Sequence, residues 1–176
     1  MSKIMVKGRS RNDIERTAKL VRRISSVLTK SESLYFPVVE FVERLAVTTD
    51  EESGECVLNL DVVPDRDLPG EYAHYCPKTN TMMVRESVYI GACQGTGRDR
   101  FTIAHELGHF FLGHGRTYAF SRVDGDVPAY ADPEWQANIF ASMVLMPRDR
   151  IRGLSPAKVV AQCGVSLQAA EIALTK

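Results

Sequence analysis

The sequence predicts an α+β fold: a small mixed sheet packed against helices. Three observations predict it. Ile14, Ala18, Val21, Ile24 and Leu28 recur at helical spacing and form an apolar stripe. Alternation around Leu58, Leu60 and Val62, then the β-prone run Thr81–Ile90, reads as two strands. Helical spacing returns in Phe101, Ala104, Gly108 and Phe111.

Taken in order, a basic helix over residues 11–29 opens the chain and docks through its stripe. A second helix, about Phe36–Leu45, offers Val38, Phe41, Val42 and Leu45 to a core. The first strand is Val57–Val63, and Pro64–Gly70 is a turn or loop. The second strand, Thr81–Ile90, leads into a loop at Gly95-Thr96-Gly97, with Thr96 a candidate N-cap for the next helix. That helix stops at Gly113. Gly108 weakens it relative to alanine, so close approach of a neighbouring backbone or ligand is the expected reason for a glycine there. A loop over 115–131 follows. Asp132-Pro133-Glu134 then has the form of a helix start: a cap, a proline at the first position and a first-turn acid. Trp135–Met146 is strongly apolar and ends before Pro147. The tail reads helix, break at Cys163-Gly164, helix, with Ser166 capping the last segment.

The chemistry concentrates in His105-Glu106-Leu107-Gly108-His109. Histidines four apart on a helix share one face, one turn apart. Two neutral imidazoles so placed can hold one Zn²⁺, and a glutamate after the first can act as general base on a water at the metal. A catalytic zinc site takes three protein ligands. His114 follows His109 by five residues, where a metzincin pattern needs six with an intervening glycine, and Leu112 stands in that glycine's place. His114 is therefore expected to cap the helix end or line the cleft. Glu134 is the expected third ligand: it heads an apolar helix, where a buried carboxylate is costly unless paired or metal-bound. Asn138, four residues on, shares its face and can orient a ligand by a hydrogen bond. Arg116, Tyr118 and Tyr130, in the intervening loop, are candidate donors to the transition-state oxyanion.

Arg100–His109, followed by Glu134, Ala137, Asn138, Phe140, Ala141 and Leu145-Met146-Pro147, resembles the ImmA/IrrE family of zinc metallopeptidases. The resemblance is close over about residues 81–150 and loose elsewhere. It implies a zincin-like metallopeptidase domain in which His105, His109 and Glu134 bind one catalytic Zn²⁺ and Glu106 is the catalytic glutamate. Similar proteins cleave or otherwise inactivate a helix-turn-helix repressor encoded nearby, so such a repressor is the implied protein substrate. In zinc peptidases of this plan an edge strand beside the motif helix binds substrate in extended form, and residues 82–90 are the expected edge.

At 176 residues, 44% apolar and 25% charged, the chain suits one soluble domain. Its expected parts are a basic N-terminal helix (1–30), a catalytic core (31–150) and a helical tail (151–176). No apolar run is long enough for a membrane span, and no apolar signal core opens the chain. Cys56, Cys76, Cys93 and Cys163 have no C-x-x-C spacing, so free thiols in a cytoplasmic protein are expected. Net charge is zero, yet Lys3, Lys7, Arg9, Arg11, Arg16, Lys19, Arg22, Arg23 and Lys30 are offset within their segment only by Asp13 and Glu15. A solvated face is the expected role of this basic helix. The final helix, Leu167–Leu174, carries Glu171 and no base-reading cation, so direct binding of nucleic acid is not expected. Two further readings stay open: a binding protein that sequesters a repressor or DNA without cutting it, and a toxin paired with an antitoxin.

Overall fold

In the computed structural model, which describes residues 3–115, 121–123 and 126–175, the elements run β1 (Lys3–Met5), α1 (Arg11–Thr29), α2 (Val38–Val47), β2 (Asn59–Val63), β3 (Ala73–Cys76), β4 (Thr81–Arg85), α3 (Glu86–Cys93), α4 (Gly97–Phe111), β5 (Ser121–Val123), α5 (Pro133–Leu145), α6 (Arg148–Ile151), α7 (Pro156–Cys163) and α8 (Leu167–Thr175). Eight helices and a three-stranded mixed sheet among the described residues make the fold α+β. The sheet order is β2-β4-β3, with β2 parallel and β3 antiparallel to β4. A two-stranded antiparallel ribbon, β1-β5, stands apart from it.

Helix α1 forms because a capping box closes its first turn. Ser10 Oγ accepts from the Asp13 N–H and the Asp13 carboxylate accepts from the Ser10 N–H. Its stripe docks as expected, with Ile14, Ala18 and Val21 buried and Ile24 and Leu28 packed against the core. The basic face is not wholly solvated: the Arg22 guanidinium donates to the Val144 carbonyl at 2.7 Å, in the last turn of α5, where a cation suits the helix dipole. In α2 all four expected core residues are buried. Strand β2 is shorter than expected, and its alternation fades outward: Leu58 is buried, Leu60 half-buried and Val62 exposed.

The expected strand Thr81–Ile90 is half right. It ends at Arg85, and residues 86–93 form helix α3. β-prone Val88, Tyr89 and Ile90 are overridden by tertiary context. Asp65 captures the first turn, accepting from the Ser87 N–H at 3.1 Å and the Ser87 hydroxyl at 2.6 Å, while Val88 and Ala92 bury one helical face. Strand β4 is central, not an edge; the edges are β2 and β3, and β3 is the one that meets α4, through the bond from the Tyr75 N–H to Glu106.

Two glycines record how closely the helices pack. A Cβ on Gly108 would sit 3.0 Å from the Ala137 Cα and 3.1 Å from its carbonyl oxygen, so α4 and α5 meet backbone to backbone. A Cβ on Gly97 would sit 2.7 Å from the Ser166 nitrogen. The tail is thereby seated on the head of α4. Arg100 reinforces that seat from within. Its side chain is fully buried, donates to the Phe36 and Cys163 carbonyls, and lies 3.7 Å over the Tyr35 ring. All four cysteines are free thiols, and no helix among the described residues is long and apolar enough to cross a membrane.

Gly108→Ala tests the close approach. Overpacking costs about 1–3 kcal/mol and the gain in helix propensity returns less than about 1 kcal/mol. The expected result in a thermal melt is a Tm lower by roughly 2–6 °C. An unchanged or raised Tm would show that α5 can retreat freely.

Candidate metal centre and active-site cleft

One turn of α4 separates His105 from His109, and their ring centroids lie 4.8 Å apart. Helix α5 enters opposite them. Asp132 caps it, accepting from the Glu134 N–H at 2.9 Å, and Pro133 occupies its first position. That start aims Glu134 at the histidines. Glu134 Oε2 lies 3.2 Å from His105 Nε2, Glu134 Oε1 lies 3.4 Å from His109 Nε2, and the two Nε2 atoms are 3.0 Å apart. The expected premise for Glu134 needs correction. Its side chain is 65% exposed, so it stands at the mouth of the cleft rather than in an apolar interior. Its place at the helix head, not burial, brings it to the histidines.

Three ligand atoms, all within 4.8 Å of one another, could hold a metal ion. A tetrahedral ion with bonds of 2.0–2.1 Å needs ligand separations of about 3.3 Å, close to those observed. Asn138 Oδ1 lies 3.1 Å from His105 Nδ1. An amide oxygen only accepts, so Nδ1 donates to Asn138 and Nε2 is the nitrogen turned toward the cluster. Burial opposes charge on His105, but Glu134 and Glu106 outweigh it and raise the imidazole above its ordinary range. Burial takes His109 down to about 3. Contact with His105 holds Glu134 below the usual carboxylate range.

Glu106 points into the same cleft from the buried side of α4. Its Oε2 accepts the Tyr75 N–H of β3 at 2.8 Å. Burial raises its pKa, against the opposing pull of His105 and of that N–H. The cleft, of about 520 Å³, is lined on one side by Tyr72, Ala73, His74 and Tyr75 and on the other by Pro133 and Glu134. His74, unmarked by any motif, was missed in the sequence; it enters because β3 forms the cleft wall. The candidate donor Tyr130 lies outside this lining, its ring against Gly8. Arg116 and Tyr118 fall outside the described residues. The expected loop over 115–131 contains β5 and a short 3-10 turn at Ala129–Ala131. His114 lines the cleft but faces His109 rather than the cluster, its Nδ1 2.9 Å from His109 Nδ1.

An HExxH helix, a downstream glutamate and an edge strand against the motif glutamate define a metallopeptidase-like domain. Residues 59–175 match the family model of the peptidase M78, IrrE N-terminal-like domain, and the chain belongs to that family. No curated protein matches the chain.

A site of this kind stabilises the folded state by mass action. At free Zn²⁺ a hundredfold above Kd, about 2.7 kcal/mol is added, which is a Tm rise of roughly 5–10 °C. Differential scanning fluorimetry should show that rise, its reversal by a chelator, and its loss in Glu134→Ala. A Tm indifferent to zinc would refute the cluster as a metal site.

Proposed function

We propose that the chain is a zinc-dependent endopeptidase, with His105, His109 and Glu134 as metal ligands and Glu106 as general base. The observation that carries this reading is the Glu106 carboxylate. It is buried, fixed by the Tyr75 N–H and adjacent to an open three-ligand cluster. A structural zinc site closes with four protein ligands and has no use for such a group. When bound, Zn²⁺ supplies a Lewis acid and a water acidified toward a pKa of ~7. Glu106 accepts the proton of the attacking water and passes it to the leaving amine. Its raised pKa suits both transfers. His74, on the opposite wall, is the proposed donor to the carbonyl oxygen as charge develops.

Substrate binding falls to β3. Arg85 N–H bonds to the Tyr72 carbonyl across the sheet, which makes Ala73–Val84 and Tyr75–Met82 the pairs that do not exchange hydrogen bonds. The main-chain groups of Ala73 therefore face the free edge, as the Tyr75 N–H does. An extended peptide paired there crosses the cleft in front of Glu106. Main-chain pairing demands little of sequence, and it suits a protein substrate. Family membership supports a helix-turn-helix repressor encoded nearby as that substrate.

Two measurements test this. Co-expression with the product of the adjacent gene, followed by mass-spectrometric mapping of N-termini, should reveal a cut with wild type and none with Glu106→Gln, whose rate should fall by about 10²–10⁴ at unchanged zinc affinity. Equal binding of the neighbour by both, with no cut, would favour sequestration. Ala73→Pro removes one edge donor, a change an edge strand tolerates. It should lower kcat/KM by about 2–10-fold, the worth of one hydrogen bond, and leave zinc binding intact. An unchanged kcat/KM would remove β3 as the substrate strand.

A further inference from the structure

Behind the cluster, a chain of buried polar groups fixes which nitrogen of His109 carries its proton. It begins at Gln136, whose side chain is fully buried. Gln136 Nε2 lies 3.0 Å from the Lys7 carbonyl oxygen and 2.7 Å from the Tyr130 carbonyl oxygen. Both can only accept, so the amide NH₂ must be there. The opposite orientation would set three oxygens against one another. Gln136 Oε1 therefore faces His114 Nε2, at 3.1 Å, and His114 Nε2 must donate.

His114 is 6% exposed, and among the described residues none of its hydrogen-bond contacts is a carboxylate. A second proton would bury an uncompensated charge, so its Nδ1 is a bare acceptor. His109 Nδ1, 2.9 Å away, then donates, and the lone pair of His109 is left on Nε2. His105 reaches the same tautomer independently through Asn138. Both ring nitrogens of His114 are committed, one to His109 and one to Gln136. Its one lone pair, on Nδ1, faces His109, so His114 is not a fourth ligand.

We propose that His114 and Gln136 are positioning residues: a relay that holds His109 with its Nε2 lone pair toward the metal and anchors that setting to the N-terminal segment at the Lys7 carbonyl. The proposal rests on the reading of His105, His109 and Glu134 as metal ligands. Partners of this kind are worth roughly 10–100-fold in metal affinity in other sites. The usual partner is a carboxylate, a backbone carbonyl or water. Here a neutral imidazole takes the role and adds no negative charge.

The test is zinc affinity by competition with a chromogenic chelator, on metal-stripped wild type, His114→Phe, His114→Asn and Gln136→Leu, with far-UV circular dichroism on each. Asparagine sets its Oδ1 near the place of histidine Nδ1 and so still accepts from His109. Expected are a roughly 10–100-fold loss of affinity in His114→Phe and Gln136→Leu and near wild-type affinity in His114→Asn. A folded His114→Phe with wild-type affinity overturns the relay. So does His114→Asn as weak as the phenylalanine variant, since that would make the imidazole itself the requirement. Should His114→Phe not fold, Gln136→Leu decides by the same criterion. Long-range ¹H–¹⁵N spectra of the zinc-loaded wild type read the tautomers directly: His109 with its proton on Nδ1 and His114 with its proton on Nε2 support the relay, and the reverse on either ring overturns it. Wild type that binds no zinc refutes the metal reading itself, a result distinct from any difference among the variants.

Discussion

The contact between Gly108 and Ala137 sets everything at the site. Helix α4 contributes His105, Glu106 and His109, and α5 contributes Glu134, Gln136 and Asn138. No single element holds a complete donor set. The helices must sit at one separation and one axial register for Glu134 and Asn138 to meet His105 while Gln136 meets His114. A methyl group on residue 108 would come within 3.0 Å of the Ala137 Cα, so that register has almost no slack, because packed interiors yield little to a misplaced methyl group. Glycine at 108 is thus a geometric requirement for bringing His105, His109 and Glu134 together, placed in a helix whose intrinsic propensity favours alanine.

A second constraint joins helix to sheet. Glu106 lies one residue beyond a candidate ligand yet points the other way, toward β3, where the Tyr75 N–H satisfies one of its oxygens. That bond stabilises a buried carboxylate and also fixes its orientation. It places the proton acceptor and the strand edge in a fixed relation, so a peptide aligned on β3 is aligned on Glu106. In the proposed reaction, binding and proton transfer would share one hydrogen bond.

Much of this was legible in the sequence where a local pattern carries the structure. The stripe of α1, the four core residues of α2, the Asp132-Pro133 start of α5 and the break at Gly164 are short-range signals, and each element formed as expected. Glycine at 108 was legible as a close approach, though not what approached. The family resemblance over residues 81–150 agrees with the matched domain. Strand β3 was missed because the alternation in Ala-His-Tyr-Cys is only four residues long; pairing with β4 makes it a strand. Residues 86–93 were misread because Asp65, twenty-two positions away from Ser87, decides their conformation. Glu134 was assigned its place on the premise of burial, which solvent exposure contradicts. His74 and Gln136 carry no motif, and only the assembled cleft brings them to the site.

The bond between Gln136 and the Lys7 carbonyl spans 129 positions of the chain, and β1 is paired with β5 beyond the HExxH helix. Closing a loop of that length comes at an entropic cost that must be met before its contacts give anything back. The relay behind His109 is therefore complete only when the segment at Lys7 reaches a helix that begins at residue 133. The setting of His109 is in this sense a property of the whole fold, tied through His114 and Gln136 to the N-terminal segment as well as to α4 and α5.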